Sequence, residues 1–554
     1  MEQYALGLDF GTLSARAILV DIQTGEEKAD AVYAYPHGVI SKQLPDGTVL
    51  PPHFALADPE DYKKALIETI RCVVNNSHVP ASQIVSIGID ATASTLIAVD
   101  QHNTPMCMVP GYQNHPHAYI KLWKHHGKSA LEFSSLLEST ARERKEPWYG
   151  RYGGRFNGEA LMPKILETLR EDSQLYDNTF TFLEVGDWLI RLLTHRQVRS
   201  KSMACCNCLY DDKKGFPSAE FFRQVHPAAG DVEEKLSGIL IPLGKKAGNL
   251  SHDMAMILGL EEKTVVSSSM IDCHSAVPGC GMGQAGDLVM VLGTSSCFLL
   301  NDNQARSIPG IYSVAYEAHI PGLYGYEGGQ SCVGDGFQYF IDHYASDDLI
   351  RNAQKAGKSV FTYIEEKAAR LLPGESGLLA MDWWNGVRTP LLDYNLSGVI
   401  LGMELSTPPE AIYRALVEAS CFSARQIIEL YRQSGCQVKR IMACGGLSQK
   451  NAMMMQILAD VCQMPVAVSG SLQPCALGSA VMGAYAAGCG TFEQLLKQMT
   501  APAAKVYMPN SQNVDCYEFL YQEYLKMFYY FSQENRLTER LHLLRQQQLS
   551  CRKK

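Results

Sequence analysis

Residues 5–16 read Ala5-Leu6-Gly7-Leu8-Asp9-Phe10-Gly11-Thr12-Leu13-Ser14-Ala15-Arg16, an apolar strand running into a small-residue turn. Ala15 to Asp21 continues as a second strand, so the opening reads as a hairpin turning at Phe10 to Ser14. The same plan recurs far downstream. Asp287-Leu288-Val289-Met290-Val291-Leu292 leads into Gly293-Thr294-Ser295-Ser296 and then Cys297 to Leu300. Two strand-turn-strand units, each with Gly-Thr at the turn, predict two related halves. The second half starts near residue 284, after the Gly-rich link Gly279-Cys280-Gly281-Met282-Gly283, where bending costs little.

Composition limits what such a molecule can do. The chain has 554 residues, which at about 150 per domain favours two large domains over one. Apolar residues make up 46% and charged residues 19%, enough to bury a sizeable core. Asp and Glu number 58 against 49 Lys and Arg, a net charge of −9 that repels phosphate backbones and argues against a nucleic-acid partner. The apolar stretch from Leu288 to Leu300 is too short and too broken for a membrane span, and MEQYALGLDFG has no signal-like pattern. The expected place is the cytoplasm. There the 17 cysteines are expected to be reduced, and Cys205-Cys206-Asn207-Cys208 lacks zinc-site spacing.

Between and after the hairpins, strand-length apolar runs alternate with helical periods, the mark of an α/β protein. Ile84 to Asp90 is a strand ending in the polar loop Ala91 to Thr95. A helix is expected from Thr407 as cap, with Pro408 at its first position and Glu410 completing T-x-x-E, ending before Gly435. Arg440 to Cys444 reads as a strand, Gly445-Gly446 as a turn, and the following residues as one helix to about Cys462. Residues 515–548 read as a terminal helical region with an aromatic face suited to packing or to a subunit contact in a homo-oligomer.

Several of these features carry chemistry. Glycines in a tight turn expose N–H groups to an anion, and adjacent hydroxyls add donors. A carboxylate at the strand end, Asp9, can hold a water-coordinated Mg²⁺. The turns at Gly11 and Gly293 could therefore grip the phosphates of one nucleotide from two sides, with Gly445-Gly446 adding a close backbone approach. The small-residue helix Ala476 to Ala487 admits tight packing of another element or of an adenine ring. Ser269-Met270-Ile271-Asp272-Cys273-His274 sets a carboxylate after an apolar strand, as phosphoryl transfer to a hydroxyl requires. His115, His117, His125 and His126 stand among Lys121, Lys124 and Lys128, cations that disfavour a divalent metal, so a solvated or substrate-rim segment is expected.

Over roughly residues 4–500 the chain resembles the FGGY carbohydrate kinases, within the actin/hexokinase-like ATPase fold, and among them the ribulokinases. The resemblance rests on Gly7 to Ser14, Asp90-Ala91-Thr92-Ala93-Ser94-Thr95, and the segment from His117 to His126. It extends through Asp187-Trp188, Asp272-Cys273-His274, Gly325 to Ser331 and Gly445-Gly446. It implies two RNase H-like α/β domains around a cleft: 1–284 for the sugar, 285–500 for the nucleotide, and 501–554 as a helical extension. It implies ATP and Mg²⁺, a ketopentose such as L-ribulose phosphorylated at O5 in L-arabinose catabolism, and Asp272 as the general base. Ala93, Asn207, Asp272 and Glu327 would form the sugar floor. Gly11, Thr12, Ser14, Gly293, Thr294, Gly445, Gly446 and Asn451 would meet ATP, with Mg²⁺ at Asp9. One departure bears on the sugar: where such ribulokinases carry a lysine, this chain has Asn207, shorter and neutral. Another pentulose or polyol, such as D-ribulose or xylulose, is the alternative substrate. A non-catalytic actin-like nucleotide-binding protein is the alternative from another class.

Overall fold

The computed structural model describes residues 2–552 apart from Asn157 and Ser237. Its frame is two seven-stranded sheets built to one plan. In the first, Tyr4–Phe10 pairs antiparallel with Ser14–Asp21, which pairs antiparallel with Glu27–Ala34. On its other side Tyr4–Phe10 runs parallel to Ile84–Ala91, which runs parallel to Val265–Ser267, and Lys246–Asn249 closes the edge antiparallel. In the second sheet Asp287–Leu292 pairs antiparallel with Ser296–Asp302, and that strand with Tyr324–Gln330. Arg440–Cys444 and Val466–Val468 follow in parallel, and Lys505–Tyr507 closes antiparallel. The two halves expected from the repeated hairpins thus share strand order as well as turn chemistry.

The hairpins form because each strand buries its apolar residues while the turn needs few. All seven residues of Tyr4–Phe10 are buried, and the turn closes through one bond, Gly11 N to Ser14 O at 3.0 Å. The second turn copies it, with Gly293 N donating to Ser295 O at 3.0 Å.

What joins the halves is the small-residue helix, Pro474–Ala486. It lies across the first sheet, on Tyr4–Phe10 and Ile84–Ala91, and against the helix Asp272–Gly279. A Cβ on Gly7 would fall 1.9 Å from Ala476 O, on Gly88 1.8 Å from Ser479 O, and on Gly478 1.8 Å from Ser275 O. These distances are impossible for any side chain, so the helix is small-residued to admit protein, the first of the two readings its composition allowed. Residues 474–486 therefore return to the first sheet although strands of the second both precede and follow them.

Two boundaries differ from the sequence reading. The long helix runs Pro409–Gln433 with Pro408 as cap, because Thr407 Oγ1 accepts instead from Glu404 N at 2.9 Å in the preceding turn. The helix after Gly445 is two, Gly446–Lys450 and Ala452–Cys462, since the Asn451 side chain caps the second. At the end of the chain the helix Ser511–Tyr529 buries Tyr517, Tyr521, Tyr524 and Phe528. The last three rings pack on Phe422 or Trp383, and Tyr517 also joins a buried network: Arg414 Nη2 donates to Tyr517 Oη at 2.8 Å and Nε to Glu418 at 2.8 Å. That aromatic face is satisfied within the chain. Among the described residues no helix is long and apolar enough to cross a membrane.

Candidate active site

Three parallel strands of the first sheet end side by side, and each ends in a carboxylate. Asp9 and Asp90 are register partners, while Met270-Ile271 pairs beside Asp90-Ala91 and delivers Asp272 at the start of its helix. Open α/β sheets place ligands beyond the carboxyl ends of their strands. Arg16 Nη1 reaches Asp9 Oδ2 at 3.3 Å, and Ser479 Oγ donates to Asp90 Oδ2 at 2.6 Å. These partners do not neutralise the group. Burial raises the Asp9 carboxyl above its usual range, and burial together with Asp9 raises Asp90 well above it. Burial, then the charge of Asp9, pushes Asp272 up to about 7. A cation beside these three carboxyls would favour their charged forms.

Beside them lies a cavity of about 190 Å³. Asp272 and Glu327 form its polar floor, Thr92, Ala93 and Ser94 one wall, and Thr12 and Ser295 bring in the two hairpin turns. Trp123, Glu159, Cys273, Cys297, Tyr312 and Arg388 complete it. Trp123 Nε1 donates to Thr12 Oγ1 at 3.0 Å, tying the first turn to the His117–His126 segment. Glu327 sits on the strand Tyr324–Gln330 and meets His274 Nε2 at 3.0 Å, which fixes both side chains. Asp272 Oδ1 accepts from Cys273 N at 2.7 Å, and the residue lines the cavity.

The structure brings together Thr12, Ala93, Asp272 and Glu327, with Asp9 one strand away. Gly11, Ser14, Gly293 and Thr294 form the hairpin turns themselves. Gly293 O and Thr294 O are occupied by Gly334 N and Val333 N, at 3.1 and 2.8 Å. Gly445 must be glycine: its φ is 88° and a Cβ would stand 2.5 Å from Leu292 O. Gly446 faces open space. Asn451 is buried and engaged, its Oδ1 accepting from Met454 N at 2.8 Å and its Nδ2 donating to Tyr413 Oη at 3.2 Å.

Asn207 stands apart from the cavity that holds Asp272. It lines a neighbouring apolar cavity, the two sharing Tyr312. Its Nδ2 donates to both oxygens of Glu184, at 3.1 and 3.0 Å, while Oδ1 is buried without a partner. Glu184 in turn accepts from Ser94 N at 3.0 Å, and burial pushes its carboxyl up to about 8. Asn207 thus touches the cavity wall through Glu184 and Ser94.

The histidine segment is not solvated throughout, His115 and His126 being half-buried and its centre buried, whereas Trp123 within it lines the cavity as the substrate-rim alternative expects. His117, Lys121 and His125 are buried around Glu167, with Lys121 Nζ at 2.8 Å and His125 Nε2 at 2.7 Å from Oε2. Burial lowers His125 to about 3, so it is neutral. Beside this network Lys164, also buried, donates to Ser94 O at 2.9 Å, Leu122 O at 2.8 Å and Trp123 O at 3.2 Å. It staples two cavity walls together. Sequence reading missed Lys164, Asp90, Tyr312 and Arg388. Asp90 had a signal, since it ends a strand as Asp9 does; Lys164 lies mid-helix in an ordinary pattern and had none.

Two like-built sheets, turns fit for phosphates on both and a carboxylate floor for a hydroxylated ligand define a sugar kinase of the actin/hexokinase-like ATPase fold. The chain belongs to the FGGY family of carbohydrate kinases: the family's N-terminal domain matches residues 4–130 and its C-terminal domain residues 288–487. Among its relatives are proteins named ribulokinase. That of Bacillus licheniformis is 41% identical over 540 residues, 96% of this chain and 98% of that protein. That of Shouchella clausii is 41% identical over 553 residues, covering 98% of each. Among solved structures, the ligand-bound xylulose kinase of Lactobacillus acidophilus superposes with a TM-score of 0.79 over 96% of this chain and 99% of that one, at 17% identity. The xylulose kinase of Rhodospirillum rubrum does so with a TM-score of 0.76 over 96% and 99%, at 20% identity. At such identities the likeness is one of fold. The protein is a carbohydrate kinase, and ATP is its phosphoryl donor.

Proposed function

We propose that this kinase transfers the γ-phosphoryl group of ATP to O5 of a pentulose, L-ribulose first among them, giving L-ribulose 5-phosphate in the cytoplasm. The observation that carries the reading is Asp272, a carboxyl raised to about 7 in the one cavity that also holds Glu327, Ala93 and both hairpin turns. A base poised near neutral pH takes a proton most effectively in the transition state. The pentulose hydroxyl gives its proton to the carboxylate of Asp272 as its oxygen attacks the γ-phosphorus. Glu327 accepts from other hydroxyls, and its bond to His274 keeps it oriented. The relatives named ribulokinase support the pentulose over other sugars.

Domains 1–284 and 285–500, with the extension 501–554, would close on the sugar, the helix Pro474–Ala486 serving as the shared seam. Closure excludes water from the γ-phosphate. A Mg²⁺ ion fits the carboxylate cluster, because Asp90 Oδ1 is buried with no partner and burial opposes the charges of Asp9 and Asp90, a cost that a cation would offset. Asp9 and Asp90 would hold it, directly or through water, and it would neutralise phosphate charge. Gly11, Thr12, Ser14, Gly293, Thr294, Gly445 and Gly446 supply the turns facing the phosphates. Asn451 supports them by capping the helix behind Gly446.

Asn207 favours a second reading in which the preferred pentulose is D-ribulose or a xylulose, since its amide is committed to Glu184. A coupled assay of ADP release over L-ribulose, D-ribulose, both xyluloses, ribitol and glycerol tests both. L-Ribulose is expected to give the highest kcat/KM. Preference for another pentulose moves the conclusion to the second reading, and ADP release indifferent to every sugar would refute both.

A further inference from the structure

Two thiols and a carboxylate converge on the floor of the cavity. Cys273, Cys297 and Glu327 place their donor atoms within 4.8 Å of one another, and among the described residues they form the one such group of three. Their approach follows from the fold. Cys297 and Leu299 lie on one face of the strand Ser296–Asp302, and Leu299 is the register partner of Glu327 on the neighbouring strand. Cys297 is itself opposite Gly329, against which the Arg388 side chain packs. Cys273 enters from the start of the helix Asp272–Gly279, and all three residues line the cavity.

We propose that Cys273, Cys297 and Glu327 form a site for a soft divalent cation, Zn²⁺ or Cd²⁺, and that its occupancy closes the sugar floor. Thiolates select soft ions, whereas Mg²⁺ takes oxygen ligands, so this site and the Asp9–Asp90 cluster sort ions by chemistry. Tetrahedral Zn²⁺, with bonds of about 2.3 Å to sulfur and 2.0–2.2 Å to oxygen, sets its donors about 3.6–3.8 Å apart. The three must draw in by about 1 Å from their widest separation, which rotation about the unbranched cysteine side chains provides. Binding releases the two thiol protons to solvent. The bond from His274 to Glu327 Oε2 orients the carboxylate and leaves its other oxygen for the ion, as outer partners do in built metal sites. The fourth position faces the cavity.

Metal binding stands on this geometry alone; only its competition with the sugar rests on the function proposed above. The test uses the full chain with the two exposed thiols removed, Cys72→Ser/Cys551→Ser. Titration with Co²⁺, without nucleotide or sugar, is expected to give one equivalent bound with thiolate charge-transfer absorption, displaced by Zn²⁺. Adding Cys273→Ser/Cys297→Ser is expected to abolish the band and weaken Zn²⁺ binding about a hundredfold or more. No band in the parent, or an unchanged band in the serine variant, overturns the site. Should the serine variant fail to fold, alkylation of the parent decides: Zn²⁺ must protect Cys273 and Cys297, and equal labelling with and without it overturns the site. In kinetics Zn²⁺ is expected to raise KM for the sugar and not for ATP. Binding without that competition would refute the sugar's placement on this floor and leave the metal site standing.

Discussion

Replacing Asp272 with Asn separates its chemistry from its cost to the fold. Asn keeps the size and can still accept from Cys273 N, so the 2.7 Å bond at the helix start survives. It cannot take a proton. General-base assistance is worth roughly 10²–10⁴-fold, so kcat should fall by about that factor while ATP binding stays near normal. Stability should move the other way. The folded protein keeps the Asp272 proton up to about pH 7, because burial and Asp9 oppose the charge, whereas the unfolded chain releases it near 3.8. Between those values the folded state binds more protons, so wild-type stability declines as pH rises through the window. At about 1.36 kcal/mol per pH unit the interval corresponds to about 4 kcal/mol, an upper figure that the group's partial exposure reduces to about 2–4 kcal/mol. Asp272→Asn should therefore unfold at a higher temperature than wild type at pH 8, with a gap that shrinks steadily toward pH 4. Scanning calorimetry across that range, without nucleotide or divalent ion, measures it. The wild type's kcat/KM for sugar should meanwhile fall tenfold per unit below about pH 7. A variant that retains most of its kcat refutes the assignment of the base. A stability gap independent of pH refutes the electrostatic account.

Asn207→Lys would set an ammonium against Glu184, which now accepts from the Asn207 amide, Ser94 N and the Cys208 thiol. A charged hydrogen bond is worth about 1.5–3 kcal/mol, so the kcat/KM ratio of L-ribulose to D-ribulose and the xyluloses should shift by roughly ten- to a hundredfold, with KM for ATP unchanged; unaltered ratios in the sugar panel would show that this position does not reach the substrate. Lys164→Met removes the donor shared by Ser94 O, Leu122 O and Trp123 O, and KM for the sugar should rise about tenfold while KM for ATP holds; an unchanged sugar KM in steady-state kinetics would count against the staple. Gly478→Ala drives a Cβ to 1.8 Å from Ser275 O, so the seam must part, at about 3 kcal/mol or more, and thermal unfolding should begin earlier. A variant as stable as wild type would mean the contact is looser than described.

Much of the frame was legible because its causes are local. Gly11 and Gly293 close hairpins through bonds three residues or fewer away, and the apolar runs on either side carry their strand character in their own composition. The repetition of that unit announced two halves, and Asp272 after Met270-Ile271 announced a carboxylate at a strand end. The cap at Thr407 was readable only to within a residue, since its hydroxyl accepts from Glu404 N in the preceding turn.

The site's character came from contacts that no local pattern encodes. Asp9 meets Asp90 because two strands some eighty residues apart align in register; burial there raises all three carboxyls, and the charge of Asp9 adds to the rise at Asp90 and Asp272. Lys164 looks like any helical lysine until Ser94, Leu122 and Trp123 turn their carbonyls to it. Asn207 was visible as a departure, but whether it faces sugar or Glu184 depended on how its helix docks. Hydrophobic periodicity and turn chemistry act across a few residues, so the sequence by itself determined strands, turns and the doubled plan. Desolvation and charge crowding depend on which groups packing brings within a few ångströms, so the tertiary structure alone decided that Asp272 is poised near neutral pH and that two thiols stand beside Glu327.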